Sequence, residues 1–344
     1  LCFFTHPALV SSLALRVVHT MQLAPEVGIH DAMEAGAGSS AGNSSAMSAD
    51  EHFTVENLDR EEGQFLISKK VLGEGATSIV KLAWSKALNK RCAVKIIAKY
   101  KLNEKSHRNL RRELEIHKFL SRTGSPTICN LIDIAESNQH YFIFLEYLEG
   151  GDLISYIEKQ GKLAEPVAKT IMKKALESIQ FIHSNSVVHR DIKAENFLLE
   201  FDDQQNITGV RLTDFGLADW LGPEKSFSTP CGSPCYTAPE IVDRRPYRGE
   251  PTDVWSAGIL LYALLVGEFP FMHPSMTGLF EQIKTSPFSW PSYLSLDALD
   301  LLKKMLNRDV IVRISVQEGL DHPWFSSLRT SNIEAGTKMP KGWD

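Results

Sequence analysis

The chain has 344 residues, 43% of them hydrophobic, a composition that fits a globular protein long enough for two domains or one two-lobed domain. A formal net charge of −5 argues against nucleic-acid binding through bulk charge. Five cysteines, Cys2, Cys92, Cys129, Cys231 and Cys235, are too few and too scattered for a disulfide framework and imply a reduced, intracellular compartment, cytoplasmic or nuclear. Cys231 and Cys235 stand four apart with no second Cys/His pair near them, so they read as structural rather than as zinc ligands.

The first stretch, "LCFFTHPALVSSLALRVV", is apolar in patches but broken by His6, Pro7 and Arg16. It has neither the basic leading segment of a secretory signal nor the unbroken apolar length of a membrane span, so no membrane association is expected. The chain starts at Leu1 rather than Met, as a fragment or an over-extended reading frame would. "EAGAGSSAGNSSAMSAD" then has the small-residue composition of a disordered linker. Residues 1–64 are therefore expected to form an extension without a fold of its own, with structure starting at about Phe65.

From Phe65 to Tyr147 the pattern is strand-rich. "QFLISKKVLGEGATSIVKLAWSK", "KRCAVKIIAK" and "HYFIFLEYL" are β-like runs around turn residues. One helix, "SHRNLRRELEIHKFLS", interrupts them. After Gly150 and Gly151 the pattern turns helical. "EPVAKTIMKKALESIQFIHS" sets Val167, Ile171, Ala175, Ile179 and Ile182 on one stripe, and "VWSAGILLYALLVG", bounded by Asp253 and Glu268, reads as a buried core helix too short to span a bilayer. A small β-rich lobe (65–147) followed by a larger helical one (148–325) is the α+β architecture expected, with a ligand cleft between the lobes. Residues 326–344 read as a flexible tail without a recognisable regulatory domain.

Several short motifs carry chemistry. In "LGEGATSIV" Gly73 and Gly75 let a hairpin backbone approach phosphate oxygens and present N–H groups to them, although an ordinary β-turn would look the same. Fifteen residues after Val80, Lys95 sits between Val94 and Ile96 on a strand and points to the face opposite theirs. A lysine taken out of water needs an anion. On the following helix Glu113 lies beside the face made by Leu110, Leu114 and His117, whereas Glu115 falls near Arg111 and Lys118 on the solvated side. Glu113 is thus the expected inward acid.

Two further motifs supply the reacting end. "HRDIKAEN" holds Asp191, Lys193 and Asn196 on one short loop between apolar runs, and "TDFG" places Asp214 at the end of a strand. Mg²⁺ takes hard oxygen ligands, often one or two carboxylates with phosphate and water completing the shell. Asn196 and Asp214 can provide such oxygens as metal ligands, which leaves Asp191 as a proton acceptor. Lys193 is then a cation for a travelling phosphoryl group, and Lys95 steadies the phosphates that stay behind. Phosphoryl transfer needs positioning and charge neutralisation rather than covalent help, which matches this inventory.

These pieces, in the order "GEGATSIV", "AVKII", Glu113, "HRDIKAEN", "DFG", "APE" at Ala238 to Glu240, "DVWSAG" and "HPWF", resemble the eukaryotic protein kinase family over roughly Phe65 to Phe325. The resemblance implies a two-lobed fold using ATP and Mg²⁺. It implies that Leu72, Val80, Ala93 and Leu198 sandwich the adenine, that the backbone of Glu146 and Leu148 bonds its edge behind Leu145, and that Asp152 meets the ribose. Glu240 should pair with Arg313, and Asp253 should brace the catalytic loop. Lys193, two residues past Asp191, is similar to serine/threonine kinases, so the implied partners are proteins or peptides with Ser or Thr acceptors. A pseudokinase scaffold and a small-molecule phosphotransferase of similar fold are the rival readings; the first would lack one of Lys95, Asp191, Asn196 or Asp214.

"FSTPCGSPCYTAPE" and "LYALLVG" resemble the calcium/calmodulin-dependent and AMP-activated kinase branch, whereas "ELEIHKFL" resembles polo and aurora kinases. By likeness Ser233 sits with Asp191 and Lys193 in the acceptor-docking segment. Thr229 occupies the position many related kinases phosphorylate, and an upstream kinase acting there is expected to raise activity. The phosphate would pair with Arg190 and with Arg108 or Arg111. Three departures stand out. Ser78 replaces a third glycine, His117 takes a core-facing place where it reads as a satisfied core residue, and Asp219 is acidic where some phosphate-regulated kinases carry a base, which would weaken the phosphate pocket.

Overall fold

The computed structural model describes Phe53 and residues 58–75, 77–222 and 225–326. Those residues form two compact units. One comprises Phe53 with residues 58–75, 77–108 and 130–147; the other comprises residues 109–129, 148–222 and 225–326.

The first unit is built on a six-stranded antiparallel sheet. Its strands are β1 (Leu58–Glu62), β2 (Phe65–Glu74), β3 (Ser78–Ser85), β4 (Lys90–Ala98), β5 (Leu131–Glu136) and β6 (His140–Glu146), in the spatial order β1-β2-β3-β4-β6-β5. Each strand alternates its side chains between two faces. Phe65, Ile67, Ala83, Cys92, Val94, Ile96, Phe142 and Phe144 fill one face, where the Phe65 and Phe144 rings stack at 3.6 Å. Leu66 and Leu82 build the other face with Phe53, against Leu58, Trp84 and Tyr147.

β1 corrects the expectation that structure starts near Phe65. "LDREE" has no apolar alternation, so its side chains announce no strand. Backbone pairing holds it, Glu62 opposite Phe65 and Arg60 opposite Ile67, with Lys81 bridging to Asp59 at 3.1 Å. Phe53, inside the predicted extension, is also buried. The remaining predicted extension and the predicted tail from Ser327 onward lie outside the described residues.

The second unit is mainly helical. Its α1 helix runs Glu104–Ser121, and only the residues from Asn109 onward belong to this unit. Sequence grouped this helix with the strands, yet its Ile116 and Leu120 pack into the large helical core. α2 (Leu153–Gln160), α3 (Glu165–Ser184), α4 (Pro239–Val242), α5 (Gly249–Val266), α6 (Met276–Thr285), α7 (Leu296–Met305) and α8 (Val316–Leu320) follow. The α3 stripe is buried at Ile171, Ala175, Ile179 and Ile182, whereas Val167 is only half-buried and Ala168 takes its place in the core. α5 is buried nearly all round, begins four residues before Asp253, and ends at Gly267, whose left-handed φ of 85° closes the helix through its N–H to the Ala263 carbonyl at 2.8 Å.

Two short ladders shape the loops of this unit. β7 (Val187–Val188) pairs with β10 (Asp219–Trp220), and β8 (Phe197–Phe201) pairs with β9 (Ile207–Leu212). Gly150 lets the chain pass β8 closely, since a Cβ there would collide with the Leu199 carbonyl. Among the described residues no helix is long and apolar enough to cross a membrane. A β-rich unit and a helical unit together make the α+β, two-lobed class that the sequence implies.

Candidate active site

On the sheet, the predicted nucleotide residues share one face. Strand register sets Gly73, Val80, Lys95 and Ile143 in one row and Leu82, Ala93 and Leu145 in the next. Val94 and Ile96 turn into the opposite core, as the alternation around Lys95 requires. Lys95 and Val80 are half-buried, Ala93 is buried and Leu72 is exposed. The Gly75 N–H donates to the Ser78 carbonyl at 2.8 Å and closes the β2–β3 turn. Gly73 has no such internal reason to lack a side chain: its φ is not left-handed, and a Cβ there meets no described heavy atom within 4 Å. The Glu146 N–H donates to the Asn130 carbonyl at 3.0 Å, and its carboxylate accepts from the Asn130 N–H and side-chain amide, each at 3.0 Å. A bond from the Glu146 backbone to a base edge therefore has to come from its carbonyl.

In the helical unit the loop 189–196 is held from beneath by Asp253. That carboxylate is 1% exposed and accepts from the His189 N–H at 2.9 Å, from the Arg190 N–H at 2.8 Å and from the His183 ring at 2.9 Å. Two adjacent backbone donors on one buried carboxylate make a tight turn, and Arg190 takes a left-handed φ of 66° within it. The His189 ring contacts the Thr213 carbonyl at 3.1 Å and lies 5.4 Å from the Phe215 ring, which ties this loop to the Asp214 turn.

Asp191 stands at the centre of a short polar network. Its Oδ1 accepts from the Ser233 N–H at 3.0 Å and from the Ser233 hydroxyl at 2.9 Å, and its Oδ2 lies 3.0 Å from Lys193 Nζ. Lys193 also donates to Ser233 Oγ at 3.1 Å. Asn196 donates its amide N–H to the Asp191 carbonyl at 2.8 Å and to Asp191 Oδ2 at 3.3 Å. With its nitrogen so engaged, the amide oxygen is the atom Asn196 can offer a cation. The Thr213 N–H donates to the Asn196 carbonyl at 2.9 Å, so Asn196 and Asp214 sit at neighbouring ends of the β8–β9 hairpin.

Asp214 has a left-handed φ of 62° and accepts from the Gly216 N–H at 3.3 Å. A Cβ built on Gly216 would lie 3.2 Å from Asp214 Oδ1 and 3.4 Å from Glu113 Oε2, so the Glu113 carboxylate is beside this turn while Glu115 is exposed. An amide oxygen and a carboxylate are hard donors of the kind Mg²⁺ takes together with phosphate and water. Among the described residues no group of three or more His, Cys, Asp or Glu side chains is placed to hold a metal ion.

Other predicted residues have plain structural duties. Asp152 caps α2 by accepting from the Ser155 N–H at 2.8 Å, and it bridges to Leu198. Leu148 is buried. His117 bonds the Cys129 carbonyl at 2.7 Å and packs 4.8 Å from the Phe215 ring, the satisfied core role expected of it. Arg313 makes a bidentate pair with Glu240 at 2.7 and 2.9 Å. Burial raises the Cys235 thiol to about 12, and the charge of Glu195 adds to that.

The activation-loop reading needs correction. Arg108 is exposed and reaches only toward Glu104 at 3.9 Å, and Arg111 is exposed; the helix arginine that points into the segment is Arg112. Arg112, Arg190 and Lys225 all converge on Asp219, at 3.1, 3.6 and 2.8 Å. Burial works against the Asp219 charge, but the Lys225 hydrogen bond and the charges of Arg112, Lys225 and Arg190 outweigh it and hold the carboxyl below its ordinary range. Thr229 is exposed. Sequence pointed to Asp219 as a departure but not to Arg112, whose inward turn depends on where α1 meets the helical core.

A family model described as protein kinase domain matches residues 66–325. A probable serine/threonine-protein kinase of Dictyostelium discoideum is 37% identical over 267 residues, covering 77% of this chain and 31% of that protein. An SNF1-related protein kinase catalytic subunit alpha of Arabidopsis thaliana is 38% identical over 259 residues, covering 75% of this chain and 51% of that protein. The chain thus spans a third to a half of the length of these curated relatives. The second likeness supports the AMP-activated branch that "FSTPCGSPCYTAPE" suggested.

Proposed function

The chain belongs to the protein kinase domain family, and from that premise we propose that it transfers the γ-phosphoryl group of ATP to serine or threonine hydroxyls of protein substrates. The observation that carries this reading is the Asp191–Lys193–Ser233 triangle. In it a hydroxyl donates to the carboxylate at 2.9 Å and accepts from the ammonium at 3.1 Å. An acceptor hydroxyl arriving there would meet the same pair, a base for its proton and a cation for the phosphoryl oxygens.

The acceptor oxygen forms a bond to the γ-phosphorus while the bond to the β–γ bridging oxygen breaks, ADP leaves, and the hydroxyl proton passes to Asp191. Asp253 fixes the loop on which Asp191 stands, through the two backbone N–H groups that precede it. Lys95 is assigned the phosphates that are not transferred, with Gly73 and Gly75 giving the backbone close approach. Leu72, Val80, Ala93 and Leu198 are assigned the adenine faces, and the backbone of Glu146 and Leu148 its edge. The family uses Mg²⁺ with ATP in general; Asn196 and Asp214 would hold that ion, which supplies neutralisation of phosphate charge.

The scaffold reading is not favoured, because Lys95, Asp191, Asn196 and Asp214 are all present. The test is transfer of labelled phosphate from Mg-ATP to a degenerate peptide library with Ser, Thr or Tyr acceptors. Label on Ser and Thr peptides is expected. Label on a sugar or amine panel with none on peptides would replace the reading by a small-molecule phosphotransferase.

A further inference from the structure

Asp219 holds the most concentrated charge arrangement outside the reacting triangle. Its Oδ2 faces Arg112 Nη1 at 3.1 Å and Arg190 Nη2 at 3.6 Å, while its Oδ1 accepts from Lys225 Nζ at 2.8 Å and from the Trp220 N–H at 2.9 Å. The three cations come from three places: the α1 helix, the loop that carries Asp191, and the segment leading to Thr229. A single buried carboxylate therefore ties together the parts that a phosphate on such a segment would tie.

The neighbouring contacts close the same arrangement without phosphate. Asp219 pairs with Val188 across the β7–β10 ladder, two residues before Arg190. Arg190 Nε donates to the Leu217 carbonyl at 2.8 Å, and its guanidinium lies 4.6 Å from the centre of the Phe227 ring. Lys225 stands over the same ring at 5.1 Å. Phe227 exchanges two backbone hydrogen bonds with Tyr247, at 2.8 and 2.9 Å, and the Tyr247 hydroxyl donates to the Thr229 carbonyl at 3.0 Å. The segment is thus pinned on both sides of Asp219's lysine by side chains and backbone, and the Thr229 side chain takes no part.

We propose that Asp219 is a positioning residue which serves as a built-in anion for Arg190 and Arg112, so that the catalytic loop is set for transfer without phosphorylation of Thr229. The inference rests on the kinase reading above and reverses the expectation that Thr229 phosphate raises activity. An acid fixed in the chain is always present, so the protein would be on whenever it is folded, and control would have to act on substrate access or abundance.

The experiment uses the full chain, treated with phosphatase to complete dephosphorylation and checked by mass. The dephosphorylated native protein and Thr229→Ala are expected to turn over within about twofold of the Thr229-phosphorylated protein, a difference too small to represent a misplaced catalytic group. Asp219→Asn is expected to lose on the order of 10- to 100-fold in kcat with the KM for ATP held, and Asp219→Glu to recover most of it. Limited proteolysis of residues 225–231 should show protection in the native chain and cleavage in Asp219→Asn. Activity in the dephosphorylated native protein below a tenth of the phosphorylated level overturns the proposal, and that arm needs no change at Asp219. An Asp219→Asn protein with native kcat also overturns it. Should no form transfer phosphate, the kinase reading fails, and the proteolysis arm decides the inference alone: equal protection in native chain and variant refutes it.

Discussion

The Glu240–Arg313 pair offers a stability prediction with a defined size. The Arg313 side chain is fully buried and Glu240 nearly so, at 0% and 12% exposure. The guanidinium gives Nη1 and Nη2 to the two carboxylate oxygens at 2.7 and 2.9 Å, Nε to the Asn307 carbonyl and Nη1 also to the Pro251 carbonyl, each at 2.8 Å, and it stands 5.1 Å from the Trp255 ring. Glu240→Ala would leave that cation buried with two carbonyls and no counter-charge. Removing one partner of such a pair costs about 3–5 kcal/mol. At about 2–4 °C of Tm per kcal/mol for a domain near this size, the fall is about 10 °C. Replacing both partners by apolar residues, Glu240→Leu with Arg313→Met, should recover most of the loss, because the desolvation cost disappears with the charges. Thermal unfolding of the native chain, both single variants and the double variant measures this directly. A Glu240→Ala protein that melts within about 2 °C of native would refute the reasoning, since about 1 kcal/mol is what an exposed pair contributes.

Two other measurements probe chemistry away from the reacting loop. Glu165 accepts from the Ser295 N–H at 2.8 Å, the Ser295 hydroxyl at 2.9 Å and the Trp324 indole at 3.1 Å; burial raises its carboxyl, but these bonds outweigh burial and hold it below the ordinary value of 4.5. A depressed folded value means that the stabilisation is complete above 4.5 and fades as pH falls through the lower folded value, so the gap in urea midpoint between native and Glu165→Gln should be widest near neutral pH and narrow below about 4.5. A gap that widens on acidification would contradict the assignment. Among the described cysteines, burial lifts Cys92 and Cys235 to about 12 and Cys129 is buried, whereas Cys231 is half-buried. Brief iodoacetamide treatment at pH 8 should alkylate Cys231 before those three, as read by peptide mass spectrometry, and equal labelling of Cys235 would show that its surroundings open in solution.

Much of the candidate site was legible because its residues are local in sequence. Asp191, Lys193 and Asn196 lie within six residues, a span that limits how far apart the chain can hold them. The alternation around Lys95 likewise identified its face. Glu113 was separable from Glu115 because helical spacing alone places one beside the apolar face and the other away from it.

What stayed hidden depends on long-range placement. β1 carries polar side chains on an edge and is held by backbone pairing, which leaves no period in the sequence. Arg108, Arg111 and Arg112 share one helix, and only the packing of that helix decides which of them reaches Asp219, 107 residues on from Arg112. Asp253 marked a helix boundary in the sequence and by resemblance a brace for the 189–196 loop; what stayed hidden is that α5 begins four residues earlier, at Gly249, and carries Asp253 inside it.

Asp191 is proposed as the base of a phosphoryl transfer to protein hydroxyls, and the rate of labelled transfer from Mg-ATP to a Ser/Thr peptide, comparing the native chain with Asp191→Asn at matched folding, decides it. Measurable turnover is expected in the native chain, with a loss of roughly 10²- to 10⁴-fold in kcat in the variant. Equal turnover in the two proteins would remove Asp191 from that role.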